Sequence, residues 1–247
     1  MEIAGSVCLV TGAGGGIGQA TVRAFAAEGG HVVAADRPGA ILEGLPLAGA
    51  LTCDLSLPGA AAALAADAEA VLGRIDVLVN NAGAGLYGLV HELAPGESER
   101  LLALNLAAPV ELTRALLPGM LARGRGHVVN VGSIVGFVGR AHEAVYAAGK
   151  GGLGVFTESL RSELRGEPVG ASLVAPVVVD TRYFAERGMP YDRRWPRPLS
   201  PERIAAAILD AVRSDRARVV VPRWLAVVVQ LHGAAPALFR AFADRLD

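Results

Sequence analysis

Val7-Cys8-Leu9-Val10-Thr11-Gly12-Ala13-Gly14-Gly15-Gly16-Ile17-Gly18 is an apolar run that breaks into a glycine-rich turn. A helical pattern follows from Gln19 to Glu28, and Gly29-Gly30 stops it. His31-Val32-Val33-Ala34-Ala35 then reads as a second strand ending at Asp36. Strand, glycine turn, helix and strand in that order make a β-α-β unit, the building block of a parallel sheet. Glycines in the first turn let the backbone approach a pyrophosphate, and the helix start offers free N–H groups and positive dipole. The spacing is Thr-Gly-x-x-x-Gly-x-Gly, with Ile17 in a place where the general dinucleotide fingerprint has glycine. A plain tight turn has the same composition; the position between strand and helix is what favours a nucleotide.

Asp36 stands twenty residues past Gly16, where a carboxylate would bond the adenosine ribose hydroxyls. It would repel a 2′-phosphate, so NAD is expected ahead of NADP. Arg37 could greet that phosphate and keeps NADP open. As a bland alternative, Asp36 is a turn residue before Pro38-Gly39.

Outward from this unit the pattern repeats. Ala50-Leu51-Thr52-Cys53 reads as a third strand, followed by Asp54-Leu55. Asp54 could face an adenine amino group, or it or Ser56 could cap the alanine-rich helix 57–72. Ile75 to Val79 is a fourth strand running into Asn80-Asn81-Ala82-Gly83, a turn able to hold adenine and ribose and to brace the sheet. A long helix is expected over Glu97–Arg123, bent or interrupted at Pro109 and Pro118. Asn105 sits inside it among leucine and alanine, where a buried amide needs partners. Val128 to Val131 is a fifth strand ended by Gly132-Ser133, and a helix from Glu143 to about Leu164 follows. Ala171 to Ala175 is a sixth strand, and Arg218 to Pro222 a seventh at the edge. Strands alternating with helices predict an α/β fold: one doubly wound parallel sheet, order 3-2-1-4-5-6 with strand 7 outermost, helices on both faces. No linker interrupts it, so residues 1–247 are expected to form a single domain.

Tyr146 and Lys150 lie four residues apart and would share a helix face. A lysine cation beside a phenol favours the phenolate, which would suit Tyr146 to proton transfer near neutrality. Ser133, at a strand's C-terminal end, could bond a substrate oxygen at the same place. Such a Tyr–Lys pair is more often a surface pair; the surrounding architecture is what gives it meaning.

The stretch 182–199 breaks the alternation. It gathers Tyr183, Phe184, Tyr191 and Trp195 among prolines and arginines, and reads as a lid over substrate or, more plainly, as a surface excursion packed by its own side chains. Ser200-Pro201-Glu202 starts another helix. The tail, 223–247, is apolar: Leu238, Phe239, Phe242 and Leu246 fall on one helical side, suggesting packing or a subunit contact, with a lipid surface or lipophilic substrate as the lesser reading.

Of 247 residues, 52% are hydrophobic and 19% charged, which permits a sizeable core and argues against disorder. A net charge of −1 gives no footprint for nucleic acid. Neither the N-terminus nor the run Trp224 to Val229 is long and apolar enough for a signal peptide or a bilayer span, so a soluble cytoplasmic protein is expected. Cys8 and Cys53 fall on strands with another between them, too far apart for a disulfide. No metal ligand set is read in the chain.

Together, Thr11-Gly12-x-x-x-Gly16-x-Gly18, Asn80-Asn81-Ala82-Gly83, Asn105, Ser133 and Tyr146-x-x-x-Lys150 resemble the short-chain dehydrogenase/reductase family, in its compact single-domain, Rossmann-type subgroup. The likeness covers about residues 5 to 181. It implies Tyr146 as general acid or base, Lys150 holding the nicotinamide ribose and lowering the Tyr146 pKa, Ser133 orienting the substrate oxygen, and Asn105 holding a relay water. The dinucleotide would lie along Gly12, Gly14, Gly15, Gly16, Ile17 and Gly18 and reach Asp36 and Arg37. It would pass Asp54, Leu55, Asn81, Ala82 and Gly83, and end at Tyr146, Lys150, Pro176 and Thr181. One departure is Pro176-Val177, where the family commonly has Pro-Gly; valine does not easily take a positive φ. The implied activity is NAD(P)-dependent interconversion of a secondary alcohol and its ketone, in a homodimer or homotetramer; the aromatic stretch 182–199 and the apolar tail suggest that the substrate is lipophilic. The competing readings are an NAD-binding regulator or scaffold without turnover, and an epimerase or lyase using the same site.

Overall fold

Every residue of β1 (Val7–Thr11) is buried, and its side chains alternate between two cores. Cys8 and Val10 face one, Val7 and Leu9 the other. A strand covered on both faces needs a continuous apolar run, which is what this segment supplies. The computed structural model describes residues 1–192 and 196–235. Among them β2 (His31–Asp36), β3 (Gly49–Thr52), β4 (Val77–Asn80), β5 (Gly126–Val131), β6 (Val169–Pro176) and β7 (Arg218–Val221) complete one parallel sheet, in the order β3-β2-β1-β4-β5-β6-β7.

One face is covered by α1 (Gly16–Ala27) and, at the far end of the chain, α7 (Pro201–Arg213). Val22 and Phe25 of the first and Ile204, Ile208 and Val212 of the second meet Val10, Ala34, Val79 and Val129 of the sheet. The other face carries α2 (Ala60–Leu72), α4 (Ala108–Ala122) and α5 (Ala144–Glu163), through Leu64, Leu112, Leu116 and Leu160. Each such fully buried aliphatic side chain contributes about 2 kcal/mol. The sheet order reverses between β1 and β4, so a crevice opens outside their C-terminal ends, where ligands of such sheets bind.

Several boundaries differ from the sequence reading. α2 begins at Ala60, behind Gly59 at φ 77°; neither Asp54 nor Ser56 caps it, because Asp54 accepts from the backbone and hydroxyl of Ser56 instead. The expected long helix runs from α3 (Glu97–Leu102) through a π turn, Ala103–Ala107, into α4. Pro109 has no N–H to continue the ladder, and the helix widens just ahead of it. Pro118, expected to break or bend the helix, lies inside α4, which continues to Ala122. By length and composition Glu97–Ala122 could cross a bilayer. Here Leu112, Leu116 and Met120 pack into the second core. Both cysteines are free, Cys8 buried and Cys53 half-buried. Beyond β7, α8 (Leu225–Ala234) buries Leu225 and exposes Val227 and Leu231. The apolar positions read from Pro236 onward, and Trp195 of the lid, fall outside the described residues.

Candidate active site

The glycine turn sits at the β1–β4 crevice and is shaped by close approach. Gly12 has φ 64°, and a Cβ there would lie 2.8 Å from the Cα of Ala82. A Cβ on Gly16 would lie 2.6 Å from the Thr181 methyl. Thr11 ties the two strand ends: its hydroxyl accepts from the backbone N–H groups of Asn81 (3.1 Å) and Ala82 (3.0 Å). The Asn81 amide donates in return to the carbonyls of Thr11 and Gly12. Below, the Asn80 amide donates to Asn130, and Asn130 donates to Thr157. These buried bonds hold β4, β5 and α5 in register beneath the site.

A groove of about 760 Å³ runs along this turn, lined by Gly12, Gly14, Gly15, Gly16, Ile17, Gly18, Asp36, Arg37, Leu55, Asn81, Ala82, Gly83 and Thr181. α1 opens on it with no side-chain cap and no acidic residue in its first turn. Its first N–H groups therefore lack partners and can serve an anion such as a pyrophosphate. Asp36 accepts from the Gly14 N–H (2.7 Å) and the Arg37 N–H (2.7 Å) at the groove's far end. Asp54 is absent from the lining. Its carboxylate is engaged by Ser56 and Arg100, and the Ser56 bonds hold its pKa down. Oδ1 takes both Ser56 bonds, and Oδ2 accepts from Arg100 at 3.3 Å.

A second cavity, about 200 Å³, adjoins the groove; Ile17, Asn81, Gly83, Thr181 and Tyr183 line both. Ser133, Tyr146, Lys150 and Pro176 converge on it from the ends of β5 and β6 and the first turns of α5. Gly136 makes the convergence possible, since a Cβ there would strike the backbone of Lys150 at 2.7 Å. Ser133 is 7% exposed and its hydroxyl accepts from the Val135 N–H. Val177, the departure from Pro-Gly, needs no left-handed backbone: positive φ falls on His142 and Asp215 among described non-glycine residues. Its N–H bonds the carbonyl of Val221.

Two expectations change here. Lys150 is not among the main influences on the phenol: its ammonium donates to the Val131 carbonyl at 2.9 Å, and burial draws its pKa down to about 8. The Tyr146 pKa is raised, not lowered. Burial is the main cause, opposed by the hydroxyls of Tyr183 and then Ser133; the Glu143 charge adds to the rise and Arg187 counters it. Asn105 is wholly buried, and its amide is tied to Ala84, accepting from its N–H (3.1 Å) and donating to its carbonyl (2.9 Å). A Cβ on Gly83 would lie 2.7 Å from the Asn105 oxygen and 3.3 Å from the Lys150 nitrogen, so these two groups meet across a glycine.

α6 (Tyr183–Glu186) covers the cavity. Glu143 and Arg187 form an ion pair whose side chains are only 3% and 7% exposed. The guanidinium lies 4.6 Å from the Phe184 ring centre and 5.3 Å from that of Tyr87. Tyr87 stacks on His142 at 5.1 Å. Glu143 and Tyr87 were not singled out by the sequence reading, because nothing local distinguishes a buried carboxylate from an ordinary helix-start glutamate. Among described residues, no group of three His, Cys, Asp or Glu could hold a metal ion.

A parallel sheet with a glycine turn at its switch point, opening on a buried tyrosine and lysine, defines a dinucleotide-dependent enzyme class. The model of the short chain dehydrogenase family matches residues 6–191, and the chain belongs to that family. It is 34% identical over 232 residues to the ketoacyl reductase HetN of Nostoc sp., covering 89% of this chain and 79% of that protein. A short-chain dehydrogenase/reductase from Burkholderia phymatum in complex with NAD superposes with a TM-score of 0.85 at 25% identity, covering 96% of each chain. A short-chain dehydrogenase from Sphingobium yanoikuyae in complex with NADPH gives 0.81 at 26% identity, covering 94% of this chain and 95% of that one. The protein is thus an NAD(P)-dependent oxidoreductase.

Proposed function

We propose that the enzyme interconverts a secondary alcohol and its ketone, with NAD preferred and Tyr146 moving the hydroxyl proton. The carrying observation is that the Tyr146 and Ser133 side chains share one small cavity with Thr181 and Gly83, which also line the dinucleotide groove. A bound nicotinamide would supply or accept the hydride at that junction. Ser133 would donate a hydrogen bond to the carbonyl oxygen, and Tyr146 would protonate it. Burial keeps the phenol protonated at neutral pH, which suits the reducing direction. In the oxidising direction the same hydroxyl must first lose its proton. Lys150, Pro176 and Thr181 would border the nicotinamide, and Asp36 the adenosine ribose.

The substrate is read as lipophilic, because Val135, Val178, Phe184 and Pro196 form much of the wall. The similarity to a ketoacyl reductase makes 3-oxoacyl compounds the first to try. The reading extends to a single-domain cytoplasmic enzyme that pairs through the outer faces of Glu97–Ala122 and α5, where Val155 is 67% exposed. Light scattering that gave a monomer at micromolar concentration would remove the pairing.

Tyr146→Phe tests the core of the reading. Turnover of ketones with NADH should fall by about 10²–10⁴-fold, the usual contribution of a positioned acid. NADH binding, followed by fluorescence, should persist. Full activity in the variant would refute the role, and binding without any turnover across alcohols and ketones would favour a regulator.

A further inference from the structure

We propose that Tyr183 is a positioning residue for proton transfer at Tyr146: with α6 over the site, its hydroxyl donates a hydrogen bond to the Tyr146 oxygen when that oxygen is charged. The inference rests on the proton-transfer role given to Tyr146 above and deepens it.

Four observations place Tyr183 for this task. Its ring lies 5.8 Å from that of Tyr146, tilted by 49°, and both line the small cavity. Its hydroxyl oxygen is buried yet makes no hydrogen bond of ordinary geometry, so its donor is unspent. Space for that hydroxyl exists because residue 85 is glycine; a Cβ there would sit 2.7 Å from the oxygen and 2.8 Å from the ring carbon bearing it. The ring is also fixed from behind. Phe184 meets it edge-on at 5.4 Å, and Arg187 is held by Glu143 and by two aromatic faces.

The groups around Tyr146 leave this role open. On its own helix, Lys150 donates to the Val131 carbonyl, and Glu143 just before the helix is paired with Arg187 of the lid. Arg140 also lines the cavity wall. Ser133 comes from the end of β5, and its hydroxyl would be needed by the substrate oxygen. Tyr183 is the hydroxyl left to answer a charge on Tyr146, and it is the strongest of the influences that draw the Tyr146 pKa back down.

The step balances simply. In reduction the Tyr146 O–H bond breaks and its proton forms the O–H bond of the product alcohol. The electron pair stays on the Tyr146 oxygen, and the Tyr183 hydroxyl turns its proton toward it, breaking no bond of its own. In oxidation the same hydrogen bond makes Tyr146 easier to deprotonate.

The test is Tyr183→Phe in the whole chain, with the pH dependence of kcat/KM for oxidation of 2-octanol by NAD⁺. Phenolate absorbance of Tyr146, taken as the difference from Tyr146→Phe with NAD⁺ present, gives the same titration without turnover. The midpoint should rise by about one pH unit, the scale of one hydrogen bond to a charged group. Gly85→Ala, which displaces the Tyr183 hydroxyl without deleting it, should shift the midpoint the same way. A lid that merely covers the site would change KM and leave the midpoint alone. Unmoved midpoints in both variants, each melting like the parent, would overturn the proposal. Retained turnover in Tyr146→Phe would instead sink the role of Tyr146, and the absorbance titration would still decide whether Tyr183 touches it.

Discussion

Asp36 holds two backbone N–H groups at once, and one of them, from Gly14, belongs to the glycine turn itself. Its carboxylate thus shapes the turn and also sets the charge at the groove's end. A 2′-phosphate placed there would meet that charge, and two like charges about 4 Å apart repel by about 4 kcal/mol at a protein surface before salt screening. Arg37 does little to offset this. Its side chain is 70% exposed and reaches across to Glu186 at 3.6 Å, a surface pair of small energy. Asp36→Asn keeps one acceptor for the turn and removes the charge. Its NADPH-to-NADH affinity ratio, from fluorescence titration, should rise by at least about tenfold. A parent protein already preferring NADPH would show that Arg37 governs the end of the groove. The shared helix face of Tyr146 and Lys150 follows from spacing alone. Where the lysine nitrogen ends does not, because the Val131 carbonyl and the missing Cβ of Gly83 come from distant segments.

Among the elements, α6 has the weakest claim to its position from its own sequence, being a single turn that exposes Glu186 and Ala185. Arg187 holds it, through Glu143 at the start of α5 and the faces of Phe184 and Tyr87. Aromatic crowding in 182–199 was enough to suggest a cover; the buried ion pair that fastens it was invisible, since its partners are far apart in sequence. Likewise Pro109 announced an irregular helix, while the attachment of Asn105 to Ala84 needed the folded loop. Removing one member of a buried pair leaves the other charge unpaired, at about 3–5 kcal/mol if it stays buried. Arg187→Met is therefore expected to lower Tm by roughly 10 °C, or by less if α6 swings out and hydrates Glu143. Either way KM should rise, because the cavity loses a wall. The double variant Glu143→Gln with Arg187→Met should regain most of the Tm. An unchanged melting curve in the single variant would mean the pair does not hold the lid.

At the scale of the whole molecule, the active site lies at the C-terminal edge of the sheet, and the opposite edge carries its own buried polar cluster. The sheet order was legible because apolar runs alternated with helical periods; the polar groups tucked between strands were not, since each is a lone residue in a strand. His127, at the start of β5, is 2% exposed. Ser172 donates its hydroxyl proton to the Arg216 carbonyl (2.6 Å), so the 2.8 Å contact with His127 requires the histidine Nε2 to carry the proton. The other ring nitrogen and an Asp215 oxygen both crowd Gly170, where a Cβ would meet each at 2.5 Å. Burial draws the His127 pKa down to about 4, with the Asp215 charge opposing. In the unfolded chain an imidazole takes up a proton below about 6.5, so between there and 4 the unfolded state binds more protons than the folded one. Stability must then fall as pH falls through that window, by about 3 kcal/mol in all, and this contribution levels off below it. The depressed carboxylates Asp54 and Asp215 lose their protection only below 3.8, outside the same window. Thermal melts from pH 7 to pH 4 should therefore show Tm dropping by roughly 10 °C in the parent. In His127→Gln, which keeps a donor for Ser172 but no titrating ring, most of that slope should vanish. An equal slope in both proteins would place the acid sensitivity elsewhere in the fold.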